Sequence, residues 1–308
     1  MAATSAKSKK RPATKKAKPA TKNVDLTERV YAPLPNVIQL TKQTIESTRV
    51  HIKVLSGITL VYGLLSLLLV RGLGAGINVA QLRDQAGNHV AGSLATYFEL
   101  LGNNSDASNP NAGVYQTILF IIGSLAIIWA LRQLAAGERP SVKDAYYRGM
   151  YPLVPFVLVL LVILVQLLPA VIGLAAYQFL SVGGVINSIA GALVVGIFVL
   201  ALAVLSMYML ASSFFALYIV TLPGMEPMVA LKTAKKLVTG RRWTLLRKLL
   251  FLLFVIFAAM AVIMVPFILV VPVLASWVLF ALGIVAVAVG HAYSYNLYQR
   301  LLDEQQTE

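Results

Sequence analysis

The chain has 308 residues, of which 58% are hydrophobic and only 12% charged, with a mean hydropathy of +0.79. A soluble domain carries about twice that charged share, so a single water-soluble globule is excluded and a polytopic membrane protein is indicated. The net charge of +14 favours anionic partners, and the absence of Cys excludes disulfides, thiolate nucleophiles and thiolate metal sites.

The chain opens on a basic tail. "KSKKRPATKKAKPATK", Lys7–Lys22, holds eight Lys or Arg and no acidic residue. Pro12, Pro19 and the lack of apolar side chains leave nothing to build a core, so residues 1–34 are expected to be a disordered cytoplasmic tail. No apolar stretch interrupts the first 22 residues, so no cleavable signal peptide is expected. The run resembles a nuclear import signal, but an electrostatic tether fits a greasy chain better. Each Lys or Arg near an anionic leaflet contributes about 1 kcal/mol. No aromatic residue is available for base stacking, so specific nucleic-acid binding is not expected.

"PLPNVIQLTKQTIESTRVHIKVL" follows. Pro35 suits a first helical position, and Val37, Leu40, Thr44, Ile45 and Ile52 approximate one apolar stripe. A basic amphipathic helix lying on the inner leaflet is expected, with a partner-binding helix as the alternative.

Six spans follow, each long enough for a hydrocarbon core about 30 Å thick. They are Val54–Leu73, Val114–Leu134, a third from Pro152 to about Leu180, and a fourth from Ile186 to Val220. The tract Leu245–Leu297 makes two more, divided by Pro266 and Pro272. Pro169 is expected to kink the third span or mark its outer end. The basic residues test this count. Residues 1–53 carry twelve Lys or Arg, the loop after span two four, the loop after span four seven, and the C-terminus one, against Arg71 and Arg83 on the other side. Cytoplasmic segments carry the excess of Lys and Arg, so both termini are expected in the cytoplasm.

Two of the basic loops share a pattern. "GERPSVKDAYYRGMYP" and "GMEPMVALKTAKKLVTGRRW" both begin G-x-x-P-x-V, aligning Gly137, Pro140 and Val142 with Gly224, Pro227 and Val229. Each predicts a short helix started by its Pro. Together they predict a parallel internal repeat of spans two and three on spans four and five. Ala145, Tyr146 and Met150, and Ala230, Leu231 and Ala234, should face the bundle, with Lys143, Lys232, Lys235 and Lys236 outward. In the second loop Lys235, Lys236, Arg241 and Arg242 are candidate anionic-lipid contacts, beside Trp243 at the membrane boundary. Ordinary positive-inside anchoring is the alternative.

The same two loops resemble the bacterial membrane domain found in some glycerophosphoryl diester phosphodiesterases. The family pattern of a small residue, Leu, Ser, Leu and Gly aligns with Ala230, Leu231, Leu237 and Gly240, although Thr233 and Ala234 occupy the region where a Ser is usual. The resemblance implies a six-helix module of the bacterial cytoplasmic membrane without the catalytic barrel, so it transfers no phosphodiesterase activity.

No Asp or Glu lies in any predicted span, although ion-coupled transporters usually keep such groups there. Gln166 and Asn187 are candidate intramembrane polar sites, and helix bridging is their ordinary role. His51, His89 and His291 have no metal-ligand spacing. In the outer loop 72–113, "GSLATYFELLG" places Leu94, Tyr97, Phe98 and Leu101 at helical spacing, as an interfacial helix or a lid. The expectation is an all-α membrane bundle: a tail over residues 1–34, a membrane domain over 35–300 and a short tail over 301–308. It has no enzymatic activity and no cofactor. Its role is lipid- or envelope-related, with anionic membrane lipids as partners; protein partners or a homo-oligomer stay open. A transporter or permease for a lipid or small apolar molecule, lined by Gln166 and Asn187, is the alternative.

Overall fold

The computed structural model describes residues 37–71, 90–102, 112–183 and 188–306. These belong to one compact unit, Leu34–Glu308. The basic tail, Asn104 and Asn187 lie outside the described residues.

Among the described residues the chain is all helical, and six helices are long and apolar enough to cross a membrane. It is a polytopic membrane bundle. In chain order the elements are α1 (Val37–Val50), α2 (Ile52–Ser66, continued by a π turn over Leu67–Arg71), α3 (Val90–Gly102), α4 (Ala112–Ala135) and α5 (Val142–Gly149). Then come α6 (Leu153–Val182), α7 (Ile189–Ser213), α8 (Ala216–Ile219), α9 (Pro227–Val238), α10 (Arg242–Val270) and α11 (Pro272–Gln306). The spans pair as three hairpins: α2 with α4, α6 with α7, and α10 with α11. The short helices α1, α5 and α9 lie at the end carrying the basic loops, called the basic end below.

Proline decides less than the sequence suggested. Pro266 does not divide α10, which continues to Val270; the chain breaks at Val271, before Pro272. A Pro within a helix removes one hydrogen bond but need not end the helix where neighbours supply packing and partners. Pro169 likewise sits inside α6. Pro169 has no N–H to donate, and the next amide bonds across the hairpin: Ala170 N–H donates to Ser206 Oγ, 3.0 Å. One turn away Gln166 Nε2 donates to Ser213 Oγ, 2.8 Å, and on the other side Gly173 lets Leu202 and Val199 approach. Three small or polar positions on one stripe of α6 thus zip it to α7. Away from that stripe the hairpin is bare: no residue of α7 before Ser206 is fully buried. Its remaining faces are apolar, the composition that suits hydrocarbon surroundings.

The fourth span behaves differently at its basic end. The helix breaks at Phe214–Phe215 and resumes as α8. Phe215, Ala216, Tyr218, Ile219, Val220 and Thr221 are all buried. The break redirects the chain from lipid into the centre of the bundle. There it meets α4, α6, α9, α10 and α11 in one core containing Leu125, Phe156, Val159, Leu245, Tyr293 and Leu297. The packed core therefore sits in the basic half.

The two short loop helices explain their own sequences. Gly137 and Gly224 both have positive φ, +79° and +70°, which favours Gly, so these two motif glycines do equivalent jobs. Pro227 occupies the first turn of α9 as expected, but α5 begins at Val142, two residues after the expected Pro140. Its N-cap is Ser141, whose Oγ accepts the Asp144 N–H, and Pro140 stays outside. Ala145 and Gly149 of α5 and Ala230, Ala234, Leu237 and Val238 of α9 are buried. Tyr146 is half-buried and donates its hydroxyl to Ile58 O, 2.9 Å; burial pushes its pKa up to about 12. Met150 is exposed, against expectation.

The packing partners differ from those expected. α5 packs mainly on α4 and α2, and α9 mainly on α8, α7 and α6. Each short helix covers the hairpin before it, rather than the two spans it connects. In both cases a short helix packs on the hairpin that precedes it: α5 on spans one and two, α9 on spans three and four.

α1 packs one face on the last span. Leu40 and Thr44 are buried against the far end of α11, where Asn296 Nδ2 donates to Thr44 Oγ1, 3.1 Å, and Arg300 donates to Gln43 Oε1, 3.1 Å. Ile45 and Ile52, placed on the same stripe by sequence, are exposed. α11 runs unbroken to Gln306, with Leu301 buried. At the opposite end α3 is docked along α10: Tyr97 is fully buried among Met260, Met264 and Ile268 and donates to Phe257 O, 3.0 Å. Phe257 is near the middle of α10, so α3 reaches into the bundle rather than resting flat on its rim.

Candidate functional site

Among the described residues the strongest concentration of charge is the elbow between α9 and α10. From Pro227 to Leu302 the sequence has no Asp or Glu, while Lys232, Lys235, Lys236, Arg241, Arg242, Arg247, Lys248 and Arg300 fall within it. Gly240, with φ +85°, makes the left-handed turn that ends α9 and lets the chain re-enter the bundle as α10. Lys235 and Lys236 occupy the last turn of α9, where the helix dipole favours cations. Both are exposed, as are Lys232 and Lys143. α9 therefore buries small and aliphatic residues inward and presents its ammonium groups outward.

Arg241 and Arg242 begin α10 and are both half-buried. The Arg242 guanidinium lies over the Tyr208 ring of α7, 4.7 Å from its centroid. That is cation–π distance, and it anchors the elbow to the fourth span. Trp243, the next residue, is 63% exposed. Indole at this position suits a membrane–water boundary. On α5, Tyr147 and, just beyond it, Tyr151 are highly exposed, and Lys143 Nζ lies 5.8 Å from the Tyr147 ring. Both short helices thus carry lysine beside exposed aromatic or aliphatic groups, the composition of an interfacial surface.

Arg132, counted by sequence among the loop cations, is instead part of the span. It stands in the last turn of α4, half-buried, and its guanidinium reaches the end of α8. Nη1 donates to Thr221 O, 2.6 Å, and Nη2 bonds Thr221 Oγ1 and, at 3.4 Å, Tyr218 O. Around it Tyr218 stacks on Tyr298, with ring centroids 6.0 Å apart, and packs against Tyr295 and His291. The cation caps the carbonyl end of a helix buried in the core, where those carbonyls have no water. Lys248, also counted as a loop cation, is buried on α10.

Of the intramembrane candidates, Gln166 is a bridge between α6 and α7, with its Oε1 buried and unpartnered among the described residues. Asn187 lies outside them. His291 uses Nδ1–H on Val287 O, 2.9 Å, within its own helix. No group of three or more His, Asp or Glu that could hold a metal ion occurs among the described residues. Sequence reading missed Tyr208. Its only signal was a lone Tyr in an aliphatic span, and its partner is 34 positions away in sequence.

No family model, curated protein or solved structure matches the chain.

Proposed function

We propose that this chain is a non-catalytic protein of the bacterial cytoplasmic membrane, with both termini in the cytoplasm, whose basic end holds anionic lipid in a lipid- or envelope-related accessory role. The kinship with the phosphodiesterase membrane domains is part of this proposal. The observation that carries the reading is the build of α9 and its elbow: buried Ala230 and Ala234, exposed Lys232, Lys235 and Lys236, and an exposed Trp243 beside them. Such a helix matches an interface with hydrocarbon on one side and anionic headgroups on the other. The Lys7–Lys22 tail adds to the same field.

The orientation is tested by cysteine labelling. The chain has no Cys, so Lys143→Cys, Lys236→Cys and Ser188→Cys each introduce a sole thiol. In intact cells an impermeant maleimide is expected to label position 188 alone, and all three after permeabilisation. Labelling at 143 or 236 in intact cells refutes the cytoplasmic placement.

A further inference from the structure

Arg242 differs from the exposed lysines of α9 in how it is held. Its guanidinium carbon lies over the Tyr208 ring, 4.7 Å from the centroid. The Arg242 side chain makes no hydrogen bond among the described residues, so its guanidinium keeps a free edge of N–H donors. That edge matches two oxygens of a phosphate, which a planar fork can bind in parallel and an ammonium cannot.

The surroundings say which phosphate. Tyr208 is 39% exposed, Met209 beside it 37%, Trp243 63%, and Leu250, two turns along α10, 43%. At this membrane boundary a lipid can lay its acyl chains on these apolar groups while its phosphate meets Arg242. Among the described residues no carboxylate pairs with Arg242.

We propose that Arg242, seated over the Tyr208 ring, is a phosphate site for the headgroup of one anionic phospholipid, while Lys235 and Lys236 supply diffuse attraction. This rests on the anionic-lipid reading above and adds a defined stoichiometry and geometry to it. The tyrosine contributes its ring and not its hydroxyl. Tyr208→Phe therefore keeps the site, and Tyr208→Leu loses the orientation of the fork. Arg242→Lys keeps the charge but removes the bidentate edge.

The test uses the purified full-length chain in detergent, titrated with a phosphatidylglycerol and read by native mass spectrometry. Phosphatidylcholine and inorganic phosphate are the comparison probes. The wild type is expected to retain one phosphatidylglycerol in preference to phosphatidylcholine, undisturbed by millimolar phosphate. Arg242→Gln should weaken that complex by about tenfold or more, and Tyr208→Leu by about threefold to tenfold. Arg242→Lys should resemble Arg242→Gln, and Tyr208→Phe the wild type. Lys235→Gln with Lys236→Gln should keep the one-lipid complex and reduce only the salt-sensitive uptake of further lipids. An unchanged melting temperature in each variant keeps folding out of the comparison. If Arg242→Gln retains the complex, or the paired lysine variant loses it, the Arg242 site is wrong although anionic-lipid binding stands. Equal retention of both lipids by the wild type overturns both readings. Displacement by inorganic phosphate overturns the lipid as the source of the anion.

Discussion

Arg132→Ala is expected to lower the unfolding free energy in detergent by about 3 kcal/mol, as buried carbonyls left without their charged donor would require. The arginine holds Thr221 O and Tyr218 O, which end a four-residue helix in the middle of the core. Thr221 is itself buried, so water does not take over the lost bonds without opening the bundle. α8 is also too short to be stable alone. Loss of the cap should therefore loosen the whole junction of α4, α8 and α11 rather than one side chain. Arg132→Lys should fall between the two, since one ammonium retains the charge but not the fork over two acceptors. Arg139, exposed in the following loop, provides the control: Arg139→Ala should change stability by less than about 0.5 kcal/mol. Equal effects at 132 and 139 would mean that the cap contributes nothing.

Tyr97→Ala is expected to cost about 3–4 kcal/mol, the usual range for emptying a large buried aromatic site. Tyr97 is fully enclosed by Met260, Met264 and Ile268, and its hydroxyl reaches Phe257 O. Tyr97→Phe removes only the hydroxyl and should cost about 1 kcal/mol. Phe98, the neighbouring residue, is 64% exposed, so Phe98→Ala should be close to neutral. In chemical denaturation the loss should therefore be largest for Tyr97→Ala, smaller for Tyr97→Phe and smallest for Phe98→Ala, because α3 is docked in the bundle. A surface-lying α3 would instead make Phe98, the lipid-facing ring, the costlier loss.

The six spans were legible because a run of some 20 apolar residues has few other destinations, and the charge asymmetry counts the crossings independently. The inward faces of α5 and α9 were legible as well, since Ala145, Ala230 and Ala234 repeat at helical spacing opposite the lysines. What failed was information carried by a distant partner. Pro266 reads as a breaker, but α10 continues through it to Val270. Arg132 reads as a loop cation until α8 brings Thr221 to it across 89 positions of sequence. The break at Phe214–Phe215 has no Gly or Pro to announce it; the buried aromatic cluster of Phe215, Tyr218 and Tyr298 accounts for it only after folding. For the candidate site, charge pointed to Lys235, Lys236, Arg241 and Arg242, but not to their inequality. That inequality arises from one ring, Tyr208, on another span.

The central claim is that the basic end engages anionic lipid, and thermal unfolding of the reconstituted protein tests it most directly. Anything that binds the folded state selectively raises its stability by mass action. Exposed charges are screened within about 8 Å at physiological salt, so part of the gain must be salt-sensitive. In bilayers of graded phosphatidylglycerol content the melting temperature should rise with the anionic fraction. Added salt should reduce that rise, and the combined Lys235→Gln, Lys236→Gln and Arg242→Gln variant should lose most of it. A melting temperature indifferent to the anionic fraction, or one that rises equally in that variant, would contradict the account.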